Sequence, residues 1–175
     1  MFNEFDGKRP VIGAETYVSE TAIVIGDVRI GNDCYVGHGV ILRGDYGRIE
    51  IDDGTTIEEG VIVHAPPNEC CSIGKGVVIG HGAIVHAKSV GSKAGIGMGS
   101  ILSVRSEVGE ETIIAEGAVV KQNQRIEAGI VAAGNPAQKT RSLREKDRDF
   151  WAYSRQLYID LAKKYLAIGM QRMGH

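Results

Sequence analysis

The sequence has few cysteines, little net charge and no long apolar run, and each shortage excludes a class of protein. The three cysteines, Cys34, Cys70 and Cys71, are odd in number and are not spaced as in a disulfide-bonded protein. We therefore expect reduced thiols and a cytoplasmic protein. The formal net charge is −2 with Lys and Arg dispersed, which predicts no nucleic-acid surface. No apolar run approaches the roughly 18 residues that span a bilayer, and no signal peptide is visible, so no membrane partner is expected.

What the sequence has in excess is glycine, together with a six-residue repeat. Glycine accounts for 24 of 175 residues, roughly twice the average fraction of about 7%. Apolar residues recur at every sixth position; these are Ile12, Val18, Val24, Ile30, Val36 and Leu42, then Val90, Ile96, Leu102, Val108, Ile114, Val120 and Ile126. This period is typical of a parallel β-helix, in which each hexad forms one flat side and three hexads form one triangular coil. We therefore predict an all-β solenoid of about six to seven coils, with glycine at its sharp corners.

The repeat is interrupted twice. Nine positions separate Leu42 from Ile51, and ten separate Val63 from Ile73, where six would continue the pattern. Insertions in a solenoid map to its surface and are often functional. We therefore predict loops that bulge outward after Leu42 and after His64.

The repeat stops at about residue 138, and half of the ten aromatic residues lie beyond that point. Ser142 with Glu145 predicts a capping box at a helix start, and the apolar residues that follow form a helical stripe. We predict a β-helix domain over residues 1–137. A helical tail over 138–175 is expected to pack on the β-helix or on a neighbouring subunit.

Three histidines fall into register with the repeat. His64 and His86 each follow the apolar residue that closes a coil, so they should stack on one wall with rungs about 4.8 Å apart. His81 lies two residues after Ile79 on the second side, near a different edge, and one prism cannot easily bring it to the other two. A neighbouring copy in a cyclic assembly can do so. We therefore predict a homotrimer with three intersubunit metal sites; the alternative is that these histidines only hydrogen-bond across the interface.

A site of three histidines with an open fourth position is typical of catalytic zinc. Zn²⁺ is the expected cofactor, with Fe²⁺ or Co²⁺ possible, and water bound there ionises near neutral pH to a hydroxide nucleophile. Charged residues near the predicted ligands are candidates to orient the ligands and the water; they are Arg43, Asp45, Glu58 and Glu59. For Arg43, Asp45 and Glu59, the alternative is an intersubunit salt-bridge cluster.

These residues resemble the γ-class carbonic anhydrase family of hexapeptide-repeat proteins. The resemblance runs from about Gly7 to Pro136, and its most specific segments are Leu42-Arg43-Gly44-Asp45, Gly60-Val61-Ile62-Val63-His64, Ile79-Gly80-His81 with His86, Gly97-Met98-Gly99-Ser100 and Ala133-Gly134-Asn135-Pro136-Ala137. It implies a left-handed β-helix, a trimer with zinc or another divalent ion at the subunit interface, and reversible hydration of CO₂ to bicarbonate by a metal-bound hydroxide. One departure is Glu58, which stands where the family usually has Gln.

The expected enzyme is therefore a carbonic anhydrase-like lyase, and two other functions stay open. Related hexapeptide proteins imply an acyltransferase or thioesterase acting on a coenzyme A ester, although no separate histidine is free here as the general base. A catalytically weak metal-binding homologue is favoured if Glu58, an acceptor-only group when ionised, silences the site.

Overall fold

The computed structural model describes residues 1–170, which form a β-solenoid of about seven turns followed by one helix. The predicted all-β solenoid with a C-terminal helix is thus confirmed. Residues 171–175, the end of the predicted tail, lie outside the described part of the chain. The division of the chain between residues 137 and 138 stays a prediction.

Short parallel strands build the three sides of the prism. The first and third sides share two long strands that pass round a corner, β4 (Ile23–Ile30) and β6 (Ile41–Ile51). The other first-side strands are β2 (Val11–Ile12), β9 (Cys70–Ile73), β12 (Ser89–Val90), β15 (Glu107–Val108) and β18 (Arg125–Ile126). The other third-side strands are β1 (Phe2–Asn3), β8 (Ile62–His64), β11 (Ile84–Val85), β14 (Ile101–Leu102) and β17 (Val119–Val120).

The second side is a separate eight-stranded sheet, in which only the last strand is antiparallel to its neighbour. Its strands are β3 (Tyr17–Val18), β5 (Tyr35–Val36), β7 (Thr56–Ile57), β10 (Val78–Ile79), β13 (Gly95–Ile96), β16 (Ile113–Ile114), β19 (Ile130–Ala133) and β20 (Gln138–Ser142).

The periodic apolar residues stack inside the prism. On the third side Leu42 pairs with Val63, and Val63 pairs with Val85 in the next coil. All three are completely buried, and full burial of a branched side chain stabilises a fold by about 1.5–3 kcal/mol. The ladder register therefore fixes which residues share a vertical file on each wall.

The two interruptions differ in structure. The prediction of a loop after Leu42 is wrong, because β6 continues without a break from Ile41 to Ile51. Strand β4 pairs with both of its ends, and a register shift between Gly26 and Val28 absorbs the extra residues. The second predicted loop is confirmed: residues 65–69, which include two prolines without N–H donors, connect β8 to β9.

The C-terminal helix, α1 (Glu145–Ile168), begins later than the sequence predicted. Ser142 is not its cap, because the segment Gln138–Ser142 pairs with β19 and is extended. Arg144 is the N-cap instead, and its backbone N–H donates to the Asp147 carboxylate at 2.9 Å.

Helix α1 packs on the second side of the solenoid, along β10, β7, β5 and β3. Trp151 lies against Gly95 at the start of the helix. Tyr165, near its end, stacks on Tyr17 with ring centroids 4.5 Å apart. The helix thus runs back from the late coils to the early ones. In residues 1–170, no helical segment has the length and apolar character of a membrane span.

Candidate metal centre

His64 and His86 lie in one file on the third side. His64 ends β8, and His86 follows β11 one coil further on. Their rings face each other, with Nδ1 of His64 2.8 Å from Nε2 of His86. The stack expected from the repeat is therefore present within one chain.

The electrostatic surroundings favour neutral rings in this pair. Burial lowers the pKa of both His64 and His86, and the nearby Arg43 guanidinium lowers it further. His86 lowers the pKa of His64 as well, because two charged rings at this distance would repel each other. A neutral imidazole is the form that binds a metal ion through a ring nitrogen, so this donor set fits a zinc-type cation.

Arg43 and Asp45 lie on the rung beneath His64. Nη1 of Arg43 donates to Oδ2 of Asp45 at 2.8 Å, and the backbone N–H of Tyr46 donates to Oδ1 at 2.9 Å. Burial alone would raise the pKa of Asp45, but these hydrogen bonds bring it below its usual value. Oδ1 of Asp45 is 3.8 Å from Nε2 of His64, so an ionised carboxylate faces the ring nitrogen that His86 does not contact.

His81 lies at the edge of the second side, between two carboxyl groups. Its Nδ1 is 2.8 Å from Oε2 of Glu59, and its Nε2 is 3.0 Å from Oε2 of Glu58. The backbone N–H of His81 also donates to Oε2 of Glu58 at 3.1 Å. Burial raises the pKa of Glu58, although His81 opposes that shift.

Two tyrosines that the sequence analysis did not assign to the site contact these carboxyl groups. The hydroxyl of Tyr35 donates to Oε1 of Glu59 at 2.7 Å, and Tyr158 of α1 hydrogen-bonds to Glu58. The sequence held one sign of this contact. Tyr17 and Tyr35 each precede an inward apolar residue of the second side, in successive coils, so both rings point outward, and two large aromatic rings on one outer face indicate that another element packs on that face.

The structure therefore brings the predicted residues together in two groups. One holds His64 and His86, with Asp45 and Arg43 beneath them; the other, around His81, holds both glutamates. Within residues 1–170, no set of three or more His, Cys, Asp or Glu side chains is placed to hold a metal ion. A single chain thus presents two parts of the predicted ligand set.

A cavity of about 330 Å³ opens beside His81, between the second side and α1. Glu58 and His81 form its polar end. Its apolar wall includes Met98, Phe150 and Leu157, each of which is exposed to solvent.

A second apolar feature runs down the outer face of the third side. The ladder register aligns one residue from each of five coils in a single file. These residues are Ile23, Ile41, Ile62, Ile84 and Ile101. All are exposed to solvent except Ile41, which is half-buried. Ile62 and Ile84 lie two residues before His64 and His86, so the apolar file runs beside the histidine pair.

Comparison with known proteins gives close matches over nearly the whole chain, although no protein-family model matches the sequence. Gamma carbonic anhydrase 2, a mitochondrial protein of Arabidopsis thaliana, is 36% identical over 169 residues, which are 93% of this chain and 60% of that protein. The chain thus spans somewhat less than two thirds of that relative. The carnitine operon protein CaiE of Escherichia coli is 34% identical over 157 residues, which cover 90% of this chain and 80% of CaiE.

Two solved structures share the whole architecture. A hexapeptide transferase family protein from Anaplasma phagocytophilum has a TM-score of 0.89 and 31% identity, with coverage of 94% of this chain and 98% of that one. A putative acetyltransferase from Bacillus cereus has a TM-score of 0.90 and 26% identity, with coverage of 96% and 98%.

Proposed function

Because the chain belongs to the hexapeptide-repeat family that contains the γ-class carbonic anhydrases and the CaiE proteins, we propose that it is a metal-dependent enzyme that hydrates CO₂ reversibly at a subunit boundary. The observation that carries this proposal is the pair of imidazoles His64 and His86 on adjacent rungs, whose nitrogens Nδ1 and Nε2 lie 2.8 Å apart. Their surroundings lower the pKa of both rings, which favours the form that binds a metal ion.

Three histidines would hold the metal ion, His64 and His86 from one chain and His81 from its neighbour. Zn²⁺ is the proposed ion, and the same donors accept Fe²⁺ or Co²⁺. In a site with an open fourth position, zinc supplies Lewis acidity and lowers the pKa of its bound water to about 7.

The remaining site residues orient the ligands and exchange protons. Asp45, fixed by Arg43, faces the free ring nitrogen of His64, as expected for a carboxylate that orients a ligand. Glu59 does the same for His81. Glu58 borders the cavity beside His81, where its carboxyl group can accept a proton released during hydration.

The proposed assembly is a homotrimer, and the exposed isoleucine file supports it. Exposed apolar residues in a contiguous file, next to a polar site, are typical of a protein interaction surface. Burial of apolar area contributes about 25 cal/mol per Å², so a neighbouring subunit on this wall would gain stability and cover the histidine pair. All three cysteines are free thiols, which supports a reducing compartment such as the cytoplasm.

A subunit-mixing experiment tests the site and the assembly together. We expect the wild type to bind zinc and hydrate CO₂ in stopped-flow assays, and His64→Ala and His81→Ala each to lose both properties. When the two variants are refolded together in equal amounts, about one quarter of the interfaces should pair an intact His64 with an intact His81. Zinc content and hydration should recover to about that fraction.

The matched control is His38→Ala, which removes a histidine of the second-side file that contacts Ser19 and Tyr165 and belongs to neither part of the site. It should retain zinc and activity. The proposal is wrong if the mixed variants assemble but recover neither property. Zinc binding without hydration would identify a catalytically weak metal-binding homologue.

The cavity beside His81 favours a second candidate, transfer or hydrolysis of an acyl group carried on a coenzyme A ester. Its 330 Å³ and apolar wall exceed what a CO₂ molecule needs. The similar structures named as a hexapeptide transferase and a putative acetyltransferase agree with this candidate. Turnover of acetyl-coenzyme A that persists after chelation of the metal would favour it; absence of turnover with and without metal would exclude it for that substrate.

A further inference from the structure

The two carboxyl groups beside His81 are anchored differently. Glu59 uses both of its oxygens: Oε2 lies 2.8 Å from Nδ1 of His81, and Oε1 accepts the Tyr35 hydroxyl at 2.7 Å. Glu58 directs one oxygen, Oε2, toward both the backbone N–H and Nε2 of His81. The Glu59 carboxylate, which faces Nδ1 of His81, is therefore also held through its other oxygen by Tyr35.

Tyr35 is held rigidly between the solenoid and the C-terminal helix. It is only 2% exposed. Its ring stacks with Tyr17 at a centroid distance of 5.6 Å and is tilted against Tyr158 of α1 at 5.1 Å. Tyr165 of α1 covers Tyr17 in turn. The position of the Tyr35 hydroxyl thus depends on how the helix docks.

The backbone beside Tyr35 leaves room for the Glu59 side chain. A Cβ atom on Gly37 would come within 2.6 Å of Oε1 and 3.0 Å of the backbone nitrogen of Glu59, so a side chain at this position would displace the carboxylate. Burial and the Glu59 carboxylate both raise the pKa of Tyr35, which keeps the hydroxyl a hydrogen-bond donor.

We propose that Tyr35 is a positioning residue for His81: its hydroxyl fixes Glu59 on Nδ1, so that Glu59 takes the ring hydrogen. The competing oxygen, Oε2 of Glu58, lies 3.0 Å from Nε2 but already accepts the backbone N–H of His81, so Nε2 keeps the lone pair that a metal ion needs. The inference rests on the proposed role of His81 as a metal ligand, and it adds that helix α1, by caging Tyr35, sets the orientation of that ligand. A carboxylate that accepts the second ring N–H is the usual means by which proteins fix the tautomer of a ligand histidine.

Long-range ¹H–¹⁵N correlation spectra of the metal-free protein test this directly, because they show which ring nitrogen carries the hydrogen. The His81 signals are assigned by their absence in His81→Asn. In the neutral ring of the wild type we expect the hydrogen on Nδ1. Tyr35→Phe keeps the ring packing but removes the hydroxyl, and should give a mixture of both tautomers.

The second readout is zinc affinity, which should fall about 10-fold or more in Tyr35→Phe, as is typical when a residue that supports a ligand is lost. The matched control is Tyr153→Phe, which removes a hydroxyl from a helix residue that is 68% exposed. It should change neither property. If Tyr35→Phe does not fold, Glu59→Gln provides the same test, because it replaces the carboxylate and keeps its shape.

The outcomes separate this inference from the proposed function. A tautomer that shifts in Tyr35→Phe, in a wild type that binds no zinc, would support the positioning role and refute the metal site. A wild type that binds zinc, with a variant that keeps both the His81 tautomer and the affinity, would overturn the positioning role and leave the metal site intact.

Discussion

Replacement of Gly95 by alanine should weaken the docking of the C-terminal helix. Gly95 is buried in β13 under the Trp151 ring. A Cβ atom at this position would lie 2.5 Å from Cε2, 2.6 Å from Cδ2 and 2.7 Å from Cζ2 of Trp151. Since real Cβ contacts are essentially never shorter than 3.0 Å, the indole must move away from the sheet or the strand must shift.

The size of the effect depends on whether Trp151 is present. Overpacking of this kind costs about 1–3 kcal/mol. Gly95→Ala also restricts the unfolded chain, which by itself stabilises a protein by about 0.4–1 kcal/mol where the backbone is compatible with alanine. In a Trp151→Ala background the clash is gone, so Gly95→Ala should be neutral or slightly stabilising. The coupling between the two substitutions should be about 1–3 kcal/mol.

Urea unfolding of the four proteins in this cycle, followed by circular dichroism, measures the coupling. Protein concentration must be held constant, because self-association would shift the apparent stability. Trp151 is the single tryptophan in the chain, so the emission maximum of Gly95→Ala should move to longer wavelength as the indole becomes exposed. Equal destabilisation in both backgrounds, or an unchanged emission maximum, would refute the role assigned to this contact.

Three further predictions concern the surface, the helix start and the thiols. Ile84→Glu, at a position that is 43% exposed, should leave the circular dichroism unchanged but lower the molecular mass in sedimentation equilibrium; an unchanged mass would remove the isoleucine file from the proposed interface. Ion pairing with Arg141 lowers the pKa of Asp147 to about 2, so its contribution is present above the ordinary pKa of about 4 and is lost as the pH falls through 2; Asp147→Asn should be less stable than wild type at pH 6 in urea titrations, and the difference should shrink as the pH is lowered from about 4 to below 2. Cys70 should be the thiol that a disulfide reagent modifies first at pH 8, because Cys71 is fully buried and burial raises its pKa to about 12; rapid labelling of Cys71, located by mass spectrometry, would contradict this.

The coil architecture and the histidine pair could be predicted because the repeat is local. Each hexad supplies one inward residue, and rung spacing then determines which residues become neighbours. Val63 and Val85 are buried in adjacent rungs, and this places His64 next to His86 on the outer wall. The same register places each of the four charged candidates near a histidine: Arg43 and Asp45 near His64, and Glu58 and Glu59 near His81.

Features that depend on distant pairing could not be predicted in this way. The extra residues after Leu42 read as a loop, but β4 offers them a partner and they stay extended. Ser142 and Glu145 had the spacing of a capping box, but pairing with β19 takes Ser142 out of reach. The contact of Tyr35 with Glu59 was missed because Tyr35 is fixed in part by the docking of α1, and the six-residue period says nothing about where that helix docks.

The rigidity of the coil is the strongest argument for an intersubunit site. His81 and His86 are five residues apart, but between them Ala83 and Val85 are completely buried in the core, and Gly82 and Ile84 are tied to neighbouring coils through their backbone N–H groups. To turn His81 toward the other two histidines within one chain, this segment would have to leave the core and break its ladder hydrogen bonds. A second copy can present its own His81 with no such cost. A monomeric form of the chain that binds zinc through all three histidines would therefore contradict both the proposed site and the coil geometry on which it depends.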